Sequence, residues 1–210
     1  IFNINRLALG DFESGKSLTA GLDYKRENIE DINRYFEIKL ATVIRDVTQN
    51  KIPLDSTINR RGSNLFGSID YGMTENLSLD YDFSLDNDFN TFEYSSFGAT
   101  FDNEKLYTKL NFIEENGVIG DANSLETEIG YNFDEFNYFK FKTRRNRTIS
   151  LTEYYDLIYE YKNDCLTAGI KYKKSYYADE DLRPTENLLF TITLFPLTSY
   201  EYQANELIDQ

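Results

Sequence analysis

The stretch Asn76-Leu77-Ser78-Leu79-Asp80-Tyr81-Asp82-Phe83-Ser84-Leu85-Asp86 puts Leu77, Leu79, Tyr81, Phe83 and Leu85 at alternate positions, with Ser78, Asp80, Asp82, Ser84 and Asp86 between them. Successive side chains of an extended strand point to opposite faces, so this stretch has one face for an apolar medium and one for water. A helix would spread both kinds of residue around its girth.

The same alternation continues in both directions. In 16–25, Leu18, Ala20, Leu22 and Tyr24 face one way, and Ser17, Thr19, Gly21, Asp23 and Lys25 the other. In 34–45, Phe36, Ile38, Leu40 and Ile44 alternate with Glu37, Lys39 and Arg45. Further strands are expected at 64–72, 91–102, 105–114, 124–133, 136–145, 150–161, 165–174 and 187–195, about eleven in all. Leu106, Leu110 and Phe112 share a face, as do Leu125, Ile129, Tyr131 and Phe133, and Leu166, Ala168, Ile170 and Tyr172. In 136–145, Phe139 and Phe141 lie opposite Lys140, Lys142 and Arg144. Each strand runs to roughly ten residues, against about five or six in soluble sheets, and that length suits a tilted crossing of a bilayer.

Loop lengths provide an independent criterion, because outer-membrane barrels have short turns at the periplasmic end and longer loops outside. Tight links at 73–75, 103–104, 134–135 and 162–164 alternate with longer ones at 46–63, 115–123 and 175–186, and with moderate ones at 87–90 and 146–149. Calling the tight set periplasmic makes 187–195 run from outside to inside, as a terminal barrel strand does. Pro53, Pro184 and Pro196 all fall in loops or at strand ends, where a missing N–H breaks no ladder. Tyr24, Tyr71, Phe133, Phe136, Tyr161 and Phe195 sit near strand ends, as an interfacial aromatic girdle would. The plainer alternative is that these rings fill a soluble core.

Composition excludes several function classes. At about 150 residues per domain, 210 residues make one domain. A net charge of −14 repels phosphate backbones and argues against non-specific nucleic-acid binding. With no His, no Trp and one Cys, the chain has no Ser-His-Asp or Cys-His unit and lacks ordinary zinc ligands. It also lacks a GxxxxGK[ST] nucleotide loop. No cofactor is expected, and the chain reads as non-enzymatic. It opens on Ile1 without a charged-then-apolar leader, and we expect a piece of a longer precursor.

Two stretches are similar to a known family. Ile1-Phe2-Asn3-Ile4-Asn5-Arg6, continuing through Gly10-Asp11-Phe12-Glu13-Ser14-Gly15-Lys16-Ser17-Leu18 into Gly21-Leu22-Asp23-Tyr24, resembles a segment of the LptD (OstA, Imp) lipopolysaccharide-assembly family of the outer membrane. Asn163-Asp164-Cys165-Leu166-Thr167-Ala168-Gly169-Ile170-Lys171-Tyr172, then Asp181-Leu182-Arg183-Pro184-Thr185-Glu186-Asn187 and Phe190-Thr191-Ile192-Thr193-Leu194, looks like that family's last two strands and the loop between them.

The resemblance implies an all-β, antiparallel up-and-down transmembrane barrel fragment, open as it stands because N-terminal strands are missing. Residues 1–15 would form an outside loop, 16–195 the strands and 196–210 a C-terminal tail. It also implies a Gram-negative outer-membrane location and lipopolysaccharide as cargo, with an LptE-like lipoprotein plug, outer-membrane lipids and a periplasmic LptA-like bridge as partners. The lipid would leave between the first and last strands, with 187–195 as one wall of the exit. In the family, cysteines near Cys165 form a disulfide that tethers the N-terminal domain. An example of the family has two adjacent cysteines where this chain has Cys165 alone, so a tether from Cys165 to a Cys outside this stretch stands beside the plainer reading of a small buried apolar side chain.

Strand parity turns Asp80, Asp82, Glu126 and Glu128, with Lys109, Lys140, Lys142 and Arg144, toward the water-filled side. There they would meet sugar phosphates or bridging divalent ions, or simply line a solvated lumen. Asp80 and Asp82 also have the look of a glycosidase pair, but i and i+2 side chains of one strand lie about 7 Å apart and nothing supplies a cleft or a raised pKa. Asn5, Arg6, Asp11 and Glu13 belong to the first outside loop, as loop salt bridges or as a lumen cover. Besides the translocon component, a general porin-like barrel and a soluble or adhesin-type structural β protein stay open.

Overall fold

The computed structural model describes residues 15–50, 52, 54–177, 183–195 and 198–203. They form a single up-and-down sheet whose strands follow one another in chain order. These are β1 (Ser17–Glu27), β2 (Tyr35–Arg45), β3 (Leu65–Thr74), β4 (Leu77–Leu85), β5 (Phe92–Asp102), β6 (Leu106–Glu115), β7 (Asn123–Asn132), β8 (Asn137–Asn146), β9 (Leu151–Lys162), β10 (Leu166–Ser175), β11 (Thr185–Leu194) and β12 (Thr198–Gln203). Apart from a 3₁₀ turn at Leu54–Ser56, the described residues hold no helix, and none long and apolar enough to cross a membrane. Among the described residues the sheet is open, with β1 and β12 as its two ends.

Eleven of these strands match the expected ones to within two residues at either end. The twelfth is a correction. Residues 198–203 belong to the stretch read as a tail, yet they pair antiparallel with β11 from Leu194↔Thr198 to Leu189↔Gln203. Strand β11 is therefore not the last, and both of its edges are occupied. The reason is local: β12 is six residues long, follows Pro196, and alternates only Tyr200 and Tyr202 against polar positions. Asn5, Arg6, Asp11 and Glu13 lie outside the described residues, as do Pro53, Pro196 and the loop positions Asp181 and Leu182.

The tight links close by one repeated device. A side-chain oxygen at the end of the incoming strand accepts the backbone N–H groups two and three residues on. Thr74 takes Asn76 (3.2 Å) and Leu77 (3.1 Å), Asn103 takes Lys105 (2.9 Å) and Leu106 (2.7 Å), and Asn163 takes Cys165 (3.0 Å) and Leu166 (2.8 Å). Asp134 takes Phe136 (2.8 Å) and Asn137 (2.9 Å), and the Asn137 side-chain amide as well. Short polar side chains do this because they reach their own backbone without disturbing the flanking ladder.

Asp134 adds a pH dependence. The N–H of Phe136, then the Asn137 side chain, hold its carboxyl below the usual value near 3.8. A lowered native pKa contributes stability that is present above the unfolded value and is lost as pH falls through the native one. Protection of the Phe136 and Asn137 amides, taken relative to the intrinsic exchange rate at each pH, is therefore expected to fall when acid protonates Asp134, and to change little over the same range in Asp134→Asn.

The chain divides into two compact units, one running through Ala99 and including Phe112–Asn123, the other comprising Thr100–Asn111 and the chain from Ser124 onward. In the first, the apolar rows run Leu22↔Leu40↔Gly67 and Ile38↔Ile69↔Tyr81. In the second, one row runs Phe139↔Tyr159↔Ile170↔Phe190↔Tyr202. Among the described residues no second layer covers these faces: Leu18 is 64% exposed, Ile192 48% and Ile170 43%. Among the described residues the only buried hydrophobics are Val43, Ile52 and Ile58, with Phe66 packed on them.

That small core lies on the other side of the first unit's sheet, since Val43 and Phe66 share the parity of Lys39 and Ser68. It is made by the 46–64 connection, expected only as a long outside loop. Returning beside the end of β2, the connection exchanges bonds between Val43 and Ser63 (Ser63 N to Val43 O, 2.9 Å) and between Arg45 N and Arg61 O (2.7 Å). Arg45 Nε donates to Ile58 O at 2.5 Å. Asn64, fully buried, donates to Ser84 Oγ (2.9 Å) and Glu93 Oε2 (2.5 Å), fastening the connection to β4 and β5. Thr57, also fully buried, has φ of 57°, a left-handed backbone that costs a β-branched residue roughly 1–3 kcal/mol.

Candidate functional site

The residues with chemistry gather on the polar face of each unit. In the second unit the site is built on β7 and β8, whose register sets Glu126 opposite Arg144, Glu128 opposite Lys142, and Gly130 opposite Lys140. The two shortest ion pairs run diagonally across that register. Lys140, facing a residue with no side chain, reaches Glu128 at 2.5 Å; Lys142 reaches Glu126 at 3.0 Å and Glu128 at 3.8 Å. Arg144 turns the other way and meets Glu153 of β9 at 3.0 Å. Strand β9 completes the ladder with Tyr154, whose hydroxyl donates to Glu126 Oε2 at 2.7 Å.

Beyond Tyr154 the polarity continues onto β10. Lys171 pairs with Asp156 at 3.5 Å, and the Lys173 ammonium stands 5.7 Å from the centre of the Tyr154 ring. Partly exposed pairs of this kind are worth about 0–1 kcal/mol each. Their consequence is a face of alternating fixed charge with an aromatic plate set among cations, suited to polar, phosphate-bearing ligands that stay hydrated.

The first unit carries the opposite balance. Asp80 stands directly opposite Asp70, and Asp82 opposite Ser68. A Cβ at Gly98 would lie 2.3 Å from the Asp80 carboxylate, so only glycine leaves room for it there. The nearby cations are engaged, Lys39 by Glu37 and Lys25 by Glu27. Asp70, Asp80 and Asp82 have no ion-pair partner among the described residues, and like charges set opposite one another destabilise a sheet locally. No group of His, Cys, Asp and Glu among the described residues is placed to hold a metal ion.

The structure brings Glu126, Glu128, Lys140 and Lys142 into one network, pairs Arg144 beside it with Glu153, and sets Asp80 and Asp82 beside a third carboxylate. Lys109 stays apart: it is exposed on β6 and makes no ion pair among the described residues. Cys165 is a free, exposed thiol in the turn between β9 and β10.

Sequence reasoning missed Asp70, Glu153, Tyr154, Asp156, Lys171 and Lys173. Asp70 and Lys171 were legible from parity alone. Tyr154 and Asp156 follow the parity of β9 in the same way; Glu153 does not, because a register shift at Arg144/Arg145 leaves it unpaired between Thr152 and Tyr154 and breaks the period of two there. No protein-family model matches the chain, and no curated protein matches it.

Proposed function

We propose that the chain is the barrel-forming part of an outer-membrane transporter that delivers lipopolysaccharide to the outer leaflet, as a component of an LptD-like translocon, and performs no chemistry of its own. One observation carries the membrane part: the same strands of nine to twelve residues from β1 to β11 bear an uncovered apolar face and, on the reverse, a charged one. In water an apolar face of this extent is a liability; in lipid it is the requirement. The saccharide part is supported by the Glu126–Lys142–Tyr154 ladder and its neighbouring cations, and by the resemblance of 163–172 and 185–194 to the LptD family. An open sheet would leave backbone donors and acceptors unsatisfied in hydrocarbon. The proposal therefore needs the free edges of β1 and β12 paired with further strands. An LptE-like plug and an LptA-like bridge are the partners it calls for.

Photocrosslinking in cells making the full-length protein tests this. A photoreactive residue in place of Lys142 is expected to capture lipopolysaccharide, while one in place of Ile129 captures phospholipid. Capture of no lipopolysaccharide from any position on the β7–β8 polar face would refute the transport reading. Cys165 gives a second prediction. A tether to another cysteine would make the full-length protein change mobility on reduction in a non-reducing gel, and Cys165→Ser would abolish the change.

A further inference from the structure

The link between β1 and β2, 28–34, is longer than the four capped links at the same end of the sheet, and it holds a groove of about 680 Å³ lined by Arg26, Ile29, Glu30, Arg34, Phe36 and Tyr71 among others. Its apolar part is bare: Ile29 is fully exposed and Tyr71 is 42% exposed. Below it the outward face continues through Arg26↔Phe36 and Phe36↔Tyr71, the two rings meeting edge-on at 6.3 Å.

The charges around this groove cancel in pairs except for two. Lys25 is taken by Glu27, and Arg34 by Asp31 at 3.3 Å. Arg26 and Glu30 line the groove with no ion-pair partner among the described residues. One unpaired guanidinium and one unpaired carboxylate beside an apolar wall complement a headgroup with one phosphate and one ammonium. A guanidinium presents a planar fork of donors to phosphate oxygens. A carboxylate accepts hydrogen bonds from a primary ammonium, and a quaternary one has none to give.

The geometry points to a binding site for phosphatidylethanolamine at this corner, with phosphate on Arg26, ammonium on Glu30, and acyl chains along Phe36 and Tyr71. The inference rests on the membrane-barrel reading and adds a specific lipid of the leaflet on the tight-turn side.

The full-length protein is placed in bilayers that contain, in turn, equal amounts of photoactivatable phosphatidylethanolamine, phosphatidylcholine and phosphatidylglycerol, and the labelled peptides are mapped. Labelling of 26–36 is expected to be several-fold stronger with the ethanolamine lipid. Arg26→Gln should bring it down to the phosphatidylcholine level, and Glu30→Gln should shift the preference to phosphatidylglycerol. Equal labelling of 26–36 by all three lipids, or an ethanolamine preference that survives both substitutions, would overturn the site. Labelling of outward β10 and β11 positions by every lipid monitors insertion separately; its absence would overturn the membrane reading together with this inference.

Discussion

Ile170→Lys is expected to destabilise the membrane-inserted protein by about 2–4 kcal/mol, the depth-dependent cost of a lysine facing lipid near the bilayer midplane. Ile170 lies halfway along β10 on the outward face, between Tyr159 and Phe190, with 43% of its surface uncovered. A lysine there has no polar partner within its row, and from mid-strand its ammonium is farthest from either interface. Thr167→Lys, on the opposite face of the same strand across from Thr193, meets the polar side and should cost little. Unfolding in detergent–lipid mixtures, or assembly yield in cells, reads the difference. A soluble sheet predicts otherwise, since a lysine at a half-exposed position in water stays within about 0.5 kcal/mol of the parent.

The second large effect belongs to the 46–64 connection. Ile52 is 2% exposed and packs with Val43, Ile58 and Phe66 in an apolar cluster on the polar side of the first unit. Ile52→Ala removes buried methyl groups and leaves a cavity, a change that typically costs about 2–5 kcal/mol. Because the cluster joins a connection to a sheet, the loss should appear as release of 46–64, with faster exchange at the Ser63 and Gln49 amides that bond back to Val43 and Asn59. Limited proteolysis should cut the connection early while β7–β10 stay resistant. Uniform loss of protection across the sheet would show instead that the cluster supports the whole unit.

Strand positions and faces were legible because the period of two survives wherever two neighbouring strands stay in register. The stretch 76–86 needs nothing beyond its own residues. Legibility ended where a neighbour decides the outcome. Val43 and Phe66 are apolar on a polar face because Ile52 and Ile58 reach them from a connection with no periodicity of its own. Strand β12 forms because β11 offers it a free edge; its sequence, with two tyrosines among polar residues, declares little. From Asn137↔Tyr161 to Arg144↔Tyr154 the register can be counted off from the tight turn, but a shift at Arg144/Arg145 skips Glu153, so its contact could not be. Lys140 pairs with Glu128 diagonally because Gly130, directly across, has no side chain to meet it. The repeated cap at Thr74, Asn103, Asp134 and Asn163 was open to sequence inspection, each followed by an acidic residue, although Asn87-Asp88 and Thr185-Glu186 at the other end show the same dipeptide.

Whether the apolar rows touch acyl chains is decided most directly by spin labels placed one at a time along β4, in a Cys165→Ser background, with the full-length protein in bilayers. Collision with oxygen, which concentrates in lipid, is expected to be high at 77, 79, 81, 83 and 85. Collision with a water-soluble nickel complex should be high at 78, 80 and 82. A period of two with opposite phase for the two reagents is the predicted result; labels at 79, 81 and 83 that meet neither reagent, as they would beneath a second protein layer, would contradict it.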